Sequence, residues 1–242
     1  INDVFELSGR LSKIDSDGYI DRAFSDLKSY FLQGSYLKGS TFIKALAFGG
    51  HEKTYQSWNG VSKDQILENR RQNPYTYENE IDNYKQDHYQ FHWNEKLNQS
   101  WSTNIGLNYT YGRGYFEQFR KDDFVKTYGG IVESDLDANG LKTETTDLIR
   151  RRWLDNNFYV LNASLNYQST DLNMTFSSLY STYSGDHFGE VIWARQFGKN
   201  ASIRDRYYEG NGRKTDFSIF TKASYLLNEK TELYGDLQLR NV

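Results

Sequence analysis

The chain has 242 residues, no cysteine and a formal net charge of -3 at pH 7. These values exclude a disulfide framework and a thiolate metal site, and they lack the basic excess of a nucleic-acid-binding surface. No run of about 18 apolar residues is present, so the sequence predicts no transmembrane helix. The chain contains 20 Tyr, 15 Phe and 5 Trp but only one Pro. Because proline cannot donate to a strand ladder, this combination favours long, fully paired strands.

Apolar and polar residues alternate along the chain with a period of two, which is the period of a β-strand. In chain order, the predicted strands cover residues 4–13, 28–38, 41–49, 88–97, 101–111, 159–168, 172–183, 216–225 and 232–240. The strand at 101–111 has the clearest pattern, with Ile105 and Leu107 on one face and Asn108 on the other. The sequence therefore predicts about nine strands, each with one apolar and one polar face.

Short and long connections alternate between these strands. Four polar turns lie at residues 38–40, 98–100, 169–171 and 228–230, and long connections cover about 14–26, 50–84, 116–153 and 184–212. In an antiparallel meander this alternation places every short turn at one end and every long loop at the other, which is typical of a transmembrane β-barrel. A soluble β-sandwich or repeat sheet would also alternate, but long loops at one end disfavour it.

The apolar positions predict one continuous lipid-facing surface. It should contain Phe91, Trp93, Ile105, Leu107, Leu161, Leu165, Ile219 and Leu237. Aromatic residues near the short turns, namely Tyr36, Trp101, Tyr167 and Tyr225, are placed as an interfacial girdle would be. Since bacterial single-chain barrels have an even number of strands, nine strands indicate part of a larger barrel.

Four stretches resemble the barrel strands and outer loops of Bacteroidetes-type TonB-dependent receptors. They are residues 10–26, 55–61, 147–155 and 185–195. The resemblance implies that residues 1–242 are part of a 22-stranded barrel in the bacterial outer membrane, surrounded by its lipid. It also implies a plug domain and a TonB-contacting N-terminal region that this chain does not contain. No signal peptide is visible at Ile1, and we accordingly expect an internal segment of a longer chain or a processed product.

The same resemblance implies active uptake of a scarce nutrient, such as a ferric siderophore, haem, cobalamin or a glycan. Candidate ligand-binding residues in the predicted outer loops are aromatic or cationic: Tyr55, Trp58, Arg150, Arg151, Arg152, Trp153, His187, Trp193 and Arg195. Guanidinium groups suit anionic ligands, and exposed rings suit stacking. The alternative roles are charge balance against neighbouring carboxylates and packing between loops.

The sequence offers no chemistry that would make this chain an enzyme. It has no G-x-S-x-G elbow and no convincing acid–base pair. Asp15, Asp17 and Asp21 around Gly18 resemble the start of a calcium loop, but the rest of that motif is missing, so a solvated turn is the simpler interpretation. We predict no metal, no cofactor and no nucleic-acid partner. The rival functions are a passive porin or adhesion barrel and, less favoured, a soluble β-rich hydrolase.

Overall fold

The computed structural model describes residues 3–242, which form one nine-stranded antiparallel sheet with the strands in chain order. The strands are β1 (Phe5–Ser16), β2 (Ser25–Lys38), β3 (Thr41–Tyr55), β4 (Ile81–Lys96), β5 (Trp101–Phe124), β6 (Thr145–Gln168), β7 (Leu172–Ala194), β8 (Arg206–Asn228) and β9 (Thr231–Asn241). Helix α1 (Lys63–Glu68) follows β3, and a short 3-10 helix (Val125–Tyr128) follows β5. Within residues 3–242, no helix has the length and apolar character needed to cross a membrane.

The four short turns are confirmed at one end of the sheet, but the long connections were predicted too long. They cover only residues 17–24, 56–80, 125–144 and 195–205. The prediction was wrong because β5, β6, β7 and β8 have 23 or 24 residues each and continue far beyond their alternating segments. In these extensions polar and apolar residues no longer alternate, so the sequence does not reveal that the hydrogen-bonded ladder continues.

The cross-strand register confirms that the predicted apolar residues share one face. Leu107 lies between Phe91 and Leu161, and Ile105 lies opposite Trp93. We call this side the outer face and the opposite, mainly polar side the inner face. Leu107 is 47% exposed, because no other part of the sheet covers the outer face.

Two rows of aromatic rings bound the apolar band on the outer face. Near the short turns, Trp101 packs against Tyr167 with ring centroids 4.9 Å apart. On the loop side, Tyr109 is stacked between Tyr89 and Tyr159, with centroid distances of 6.1 and 4.6 Å. Trp101 and Tyr109 are eight residues apart, or about 26 Å along a strand. With strands tilted by about 40°, the two rows are about 20 Å apart along the axis of a barrel, somewhat less than the apolar band of about 25 Å in outer-membrane barrels.

The compact hydrophobic core lies at the loop end of the sheet rather than beneath the apolar band. It consists of the buried side chains of Tyr128, Val132, Leu148, Val191 and Ala194. Val132 also forms a β-bridge with Phe197, which joins the β5–β6 connection to the β7–β8 connection. These two connections therefore pack together as an ordered unit, which we call the loop cap (residues 125–144 and 195–205).

Candidate ligand-binding site

The three consecutive arginines that were predicted in a long loop lie inside strand β6. Strand alternation sends Arg150 and Arg152 to the inner face, and Arg151 and Trp153 to the outer face. The register supports this division, since Arg152 pairs with Phe116 and Trp153 pairs with Tyr115 on β5. The predicted cluster is thus split between the two sides of the sheet.

Arg152 lies in an aromatic pocket on the inner face. Its guanidinium carbon is 5.4 Å from the ring centroid of Phe116 and 5.9 Å from that of Tyr208, and its Nε donates to the Tyr208 hydroxyl at 3.3 Å. Asp82, Tyr84 and His187 also line this cavity of about 200 Å³. Arg152 forms no ion pair with a carboxylate of residues 3–242, whereas Arg150 and Arg151 do. The Arg152 charge is therefore available to an anion.

The β3–β4 connection adds a further ring to this pocket. The Trp58 ring meets Phe116 edge-on, with centroids 5.1 Å apart, and also contacts Tyr75 at 5.9 Å. Arg22 fixes the segment around Tyr75 by donating to its carbonyl oxygen at 2.6 Å. Trp58 itself is 44% exposed. The mouth of the pocket thus combines one unpaired guanidinium with several accessible aromatic faces.

Phe116, Tyr208 and Tyr84 were missed as site residues. A signal was present in β5, where glycine stands at 112 and 114 on the inner face. A Cβ on Gly114 would lie 2.5 Å from the Tyr84 Cα, and one on Gly112 would lie 2.1 Å from the Tyr84 hydroxyl. Glycine at these positions makes room for the Tyr84 ring beside the pocket, as interior strand glycines often do where groups approach closely.

The other predicted arginines have internal partners. Arg150 donates to the Tyr128 hydroxyl at 3.1 Å and to the Gln118 side-chain oxygen at 2.9 Å. Arg195, just after β7, is held by Asp147 at 2.5 Å and by Asp135 at 3.2 Å. These contacts join the loop cap to the ends of β5, β6 and β7.

The remaining candidate residues are spread over both faces. Tyr55 is buried at the end of β3, and its hydroxyl donates to the Tyr77 carbonyl at 2.6 Å. Trp193 lies in β7 opposite Ile149 on the outer face, and Trp153 donates to Glu190 at 3.0 Å on the same face. Of the nine predicted residues, Trp58, Arg152 and His187 come together at the inner-face pocket, and Trp153 also contributes to the lining of its cavity.

Two carboxylates are buried beside the site, where the β3–β4 connection meets β5. Glu117 accepts from the Tyr77 hydroxyl at 2.5 Å and from Arg151 Nε at 2.8 Å. Glu80 is 1% exposed and accepts from the Phe119 backbone N–H at 3.1 Å, while its other oxygen has no hydrogen-bond partner among residues 3–242. Burial raises the pKa of the Glu80 carboxyl, against the opposing effects of the Phe119 N–H and Arg120.

The raised pKa of Glu80 predicts that the packing of the β3–β4 connection weakens as pH rises. The folded state binds the Glu80 proton more tightly than the unfolded state. The stabilisation from protonated Glu80 is therefore fully present at pH values below the ordinary carboxyl pKa, and it is lost as pH rises through the folded-state pKa. The loss is about 1.4 kcal/mol for each unit by which folding raises that pKa. Hydrogen exchange at the Phe119 amide, corrected for intrinsic rates, should show this trend, and Glu80→Gln should abolish it. The same pH trend in both proteins would contradict the assignment to Glu80.

The acidic turn after β1 has internal partners for two of its three aspartates. Asp15 pairs with Lys13 at 3.0 Å and Asp21 with Arg71 at 3.3 Å. Gly18 has a φ of 72°, which accounts for glycine at this position. Across residues 3–242, no group of three His, Cys, Asp or Glu side chains is arranged to hold a metal ion.

Comparison with known proteins identifies solved structures that share this fold. No protein-family model matches the sequence, and the search of curated proteins gave no match. Among solved structures, the open form of the ferric-catecholate import receptor Fiu from E. coli K12 matches with a TM-score of 0.67 at 11% identity, over 99% of this chain and 40% of that one. Its closed form matches with a TM-score of 0.63 at 11% identity, over 100% of this chain and 37% of that one. The chain thus spans about two fifths of that receptor's length, and its nine-stranded meander has the fold of part of a TonB-dependent receptor barrel.

Proposed function

We propose that this chain is part of an outer-membrane receptor that actively imports a scarce nutrient. The support is a continuous apolar outer face between two aromatic rows, with a polar inner face behind it. Barrel strands can span lipid because every backbone polar group pairs with a neighbouring strand. Energy would come from a TonB complex that contacts a region outside this chain. In this proposal the chain carries no catalytic activity, and its assignment to a Bacteroidetes-type receptor stays a prediction.

The ligand that fits the inner-face pocket best is an anionic compound with flat or ring-shaped groups. The observation that carries this proposal is Arg152, which lies between the Phe116 and Tyr208 rings without a carboxylate partner. Among the nutrient classes considered, a ferric siderophore or haem has both the negative charge and the flat groups. Fiu is a ferric-catecholate import receptor, which is consistent with an anionic iron chelate as the ligand of this pocket.

Arg152→Gln should weaken binding of an anionic ferric chelate to the natural protein by roughly 10- to 100-fold. A hydrogen bond from a charged donor contributes about 1.5–3 kcal/mol, which corresponds to that range. Binding of a panel of ferric catecholates and haem can be followed by quenching of tryptophan fluorescence, since Trp58 lies at the pocket.

Arg213→Gln is the matched control. Arg213 is an exposed arginine on β8 that lies opposite Ser184 on the outer face, away from the pocket. It should leave affinity unchanged. Equal loss in both variants would contradict a specific role for Arg152. Uptake by cells that continues without a functioning TonB complex would instead favour the passive porin.

A further inference from the structure

Five basic residues on five neighbouring strands form one straight cross-strand row. Lys13 pairs with Lys28, Lys28 with His51, His51 with Lys85, and Lys85 with Arg113. Successive members belong to the same outer face because directly opposed residues point to the same side of a sheet. We call these five residues the basic row.

The basic row lies just beyond the apolar band, on its loop side. Lys28 is two residues from Tyr30, and Arg113 is four residues from Tyr109, which belongs to the stacked tyrosines. One residue adds about 3.3 Å along a strand, so the charges lie roughly 7 Å beyond Tyr30 and roughly 13 Å beyond the stacked tyrosines. The outer-face rings of Tyr115 and Trp153 follow on the loop side of the row. In a membrane this is the level of the lipid headgroups rather than of the acyl chains.

The row is unfavourable for folding by itself, because like charges directly opposite each other destabilise a sheet. Carboxylates from adjacent positions partly compensate it: Lys28 pairs with Asp26 at 3.0 Å, Lys85 with Asp87 at 3.1 Å and Arg113 with Asp155 at 3.4 Å. The exposed fractions of the paired side chains determine which charge an approaching molecule contacts first. These three cationic side chains are 51–62% exposed, whereas their carboxylate partners are 9–32% exposed. At these three positions the cations form the outer layer, whereas Lys13 and its partner Asp15 are similarly exposed, at 59% and 65%.

We infer that the basic row binds the phosphate groups of an anionic glycolipid in the outer leaflet of the outer membrane. This inference rests on the proposed membrane location. Ammonium and guanidinium groups are the natural partners of phosphate. A lipid bound in this way would lay its acyl chains on the apolar band below, against side chains such as Leu32 and Tyr89, while its phosphates reach the row. An amphiphile can contact both surfaces, with its acyl chains on the apolar band and its phosphates at the cationic row. A soluble anion would contact the row only.

The test uses the natural protein purified in detergent, with native mass spectrometry to count bound lipid. Diphosphoryl lipid A is the probe, and dephosphorylated lipid A is the comparison. The triple variant Lys28→Gln/Lys85→Gln/Arg113→Gln should reduce apparent affinity for the diphosphoryl form by at least about tenfold, since each cation near an anionic lipid surface contributes roughly 1 kcal/mol, or about fivefold. The dephosphorylated form should bind both proteins equally weakly.

The matched control removes three cations from the inner face. Lys44→Gln/Lys96→Gln/Lys222→Gln makes the same change of net charge, and its lysines alternate with outer-face residues on β3, β4 and β8. It should retain the lipid at wild-type affinity. Equal retention by all three proteins, or equal loss in both triple variants, would overturn the inference. So would displacement of the lipid by inorganic phosphate, which would show a soluble-anion site instead.

Two further measurements keep the outcome interpretable. Unfolding of each variant in detergent establishes that it is folded, and the single variants Lys28→Gln and Arg113→Gln should each show a smaller, graded loss of lipid. If the triple variant does not fold, wild-type affinity in both single variants overturns the inference. Membrane fractionation of the wild type separates the two proposals: a protein missing from the outer membrane contradicts the proposed function, whereas an outer-membrane protein that ignores lipid phosphate contradicts only the basic row.

Discussion

Leu107→Arg is expected to lower the free energy of unfolding from a lipid bilayer by about 2–4 kcal/mol. Leu107 lies on the outer face, between Phe91 and Leu161, and inside the band bounded by Trp101 and Tyr109, two residues from Tyr109. An arginine there must leave water for hydrocarbon or distort the bilayer around it. Denaturant unfolding of the natural protein in phospholipid vesicles measures the change.

Asn108→Arg is the control for this substitution, because it introduces the same side chain one residue later. Asn108 points to the inner face, where its amide donates to Thr110 at 3.2 Å. The arginine can then remain in a polar environment, and we expect a change within about 0.5 kcal/mol. If both substitutions had the same effect, the distinction between the outer and inner faces would be wrong at the centre of the sheet.

The part of the fold that was predictable from sequence is the part in which each strand has one apolar and one polar face. In the first half of β5, Ile105 and Leu107 alternate with Asn104 and Asn108, so strand, face and period follow directly from the residues. The second half of β5 has aromatic and charged residues on both faces and glycines on the inner face, and the alternation ends. The ladder continues there nonetheless, and the sequence gives no comparable sign of it.

The candidate site was predictable by residue type but not by arrangement. Arg152 and Trp58 were selected because guanidinium groups suit anionic ligands and loop aromatics can stack on ligands. Their contact with the same ring, Phe116, depends on the β5–β6 register and on the path of the β3–β4 connection. Neither is set by local sequence. Alternation along β6 places Arg151 on the opposite face, and this was missed because residues 116–153 were predicted to form a loop.

Because side chains alternate along β6, the three neighbouring arginines have different structural roles. Arg150 contributes to the loop cap through Tyr128, and Arg151 stabilises a buried carboxylate on the outer side. Arg152 contacts the Phe116 and Tyr208 rings and forms no ion pair within residues 3–242. A rigid frame on either side of Arg152 is what a binding group requires, because a site is most accurate when packed neighbours fix its geometry.

Arg151→Met is therefore expected to destabilise the loop end of the sheet by about 3 kcal/mol, near the lower limit for breaking a buried ion pair. Arg151 Nε lies 2.8 Å from a Glu117 oxygen, and the two side chains are 22% and 4% exposed. Without Arg151, Glu117 keeps only the Tyr77 hydroxyl and becomes a buried charge without a counter-charge. Hydrogen exchange of residues 77–80 and thermal unfolding of the natural protein measure the loss.

The double variant Glu117→Gln/Arg151→Met separates the possible causes of that loss. Arg151 also lies over the Tyr115 ring, with its guanidinium carbon 4.3 Å from the centroid. If the uncompensated charge of Glu117 is responsible, making this residue neutral should restore most of the stability, because removing both partners costs less than removing one. Tyr77 can still donate to the glutamine, so the β3–β4 connection should regain its protection from exchange. An equal loss in the single and double variants would show instead that arginine packing on Tyr115 carries the stability, and that the buried carboxylate contributes little.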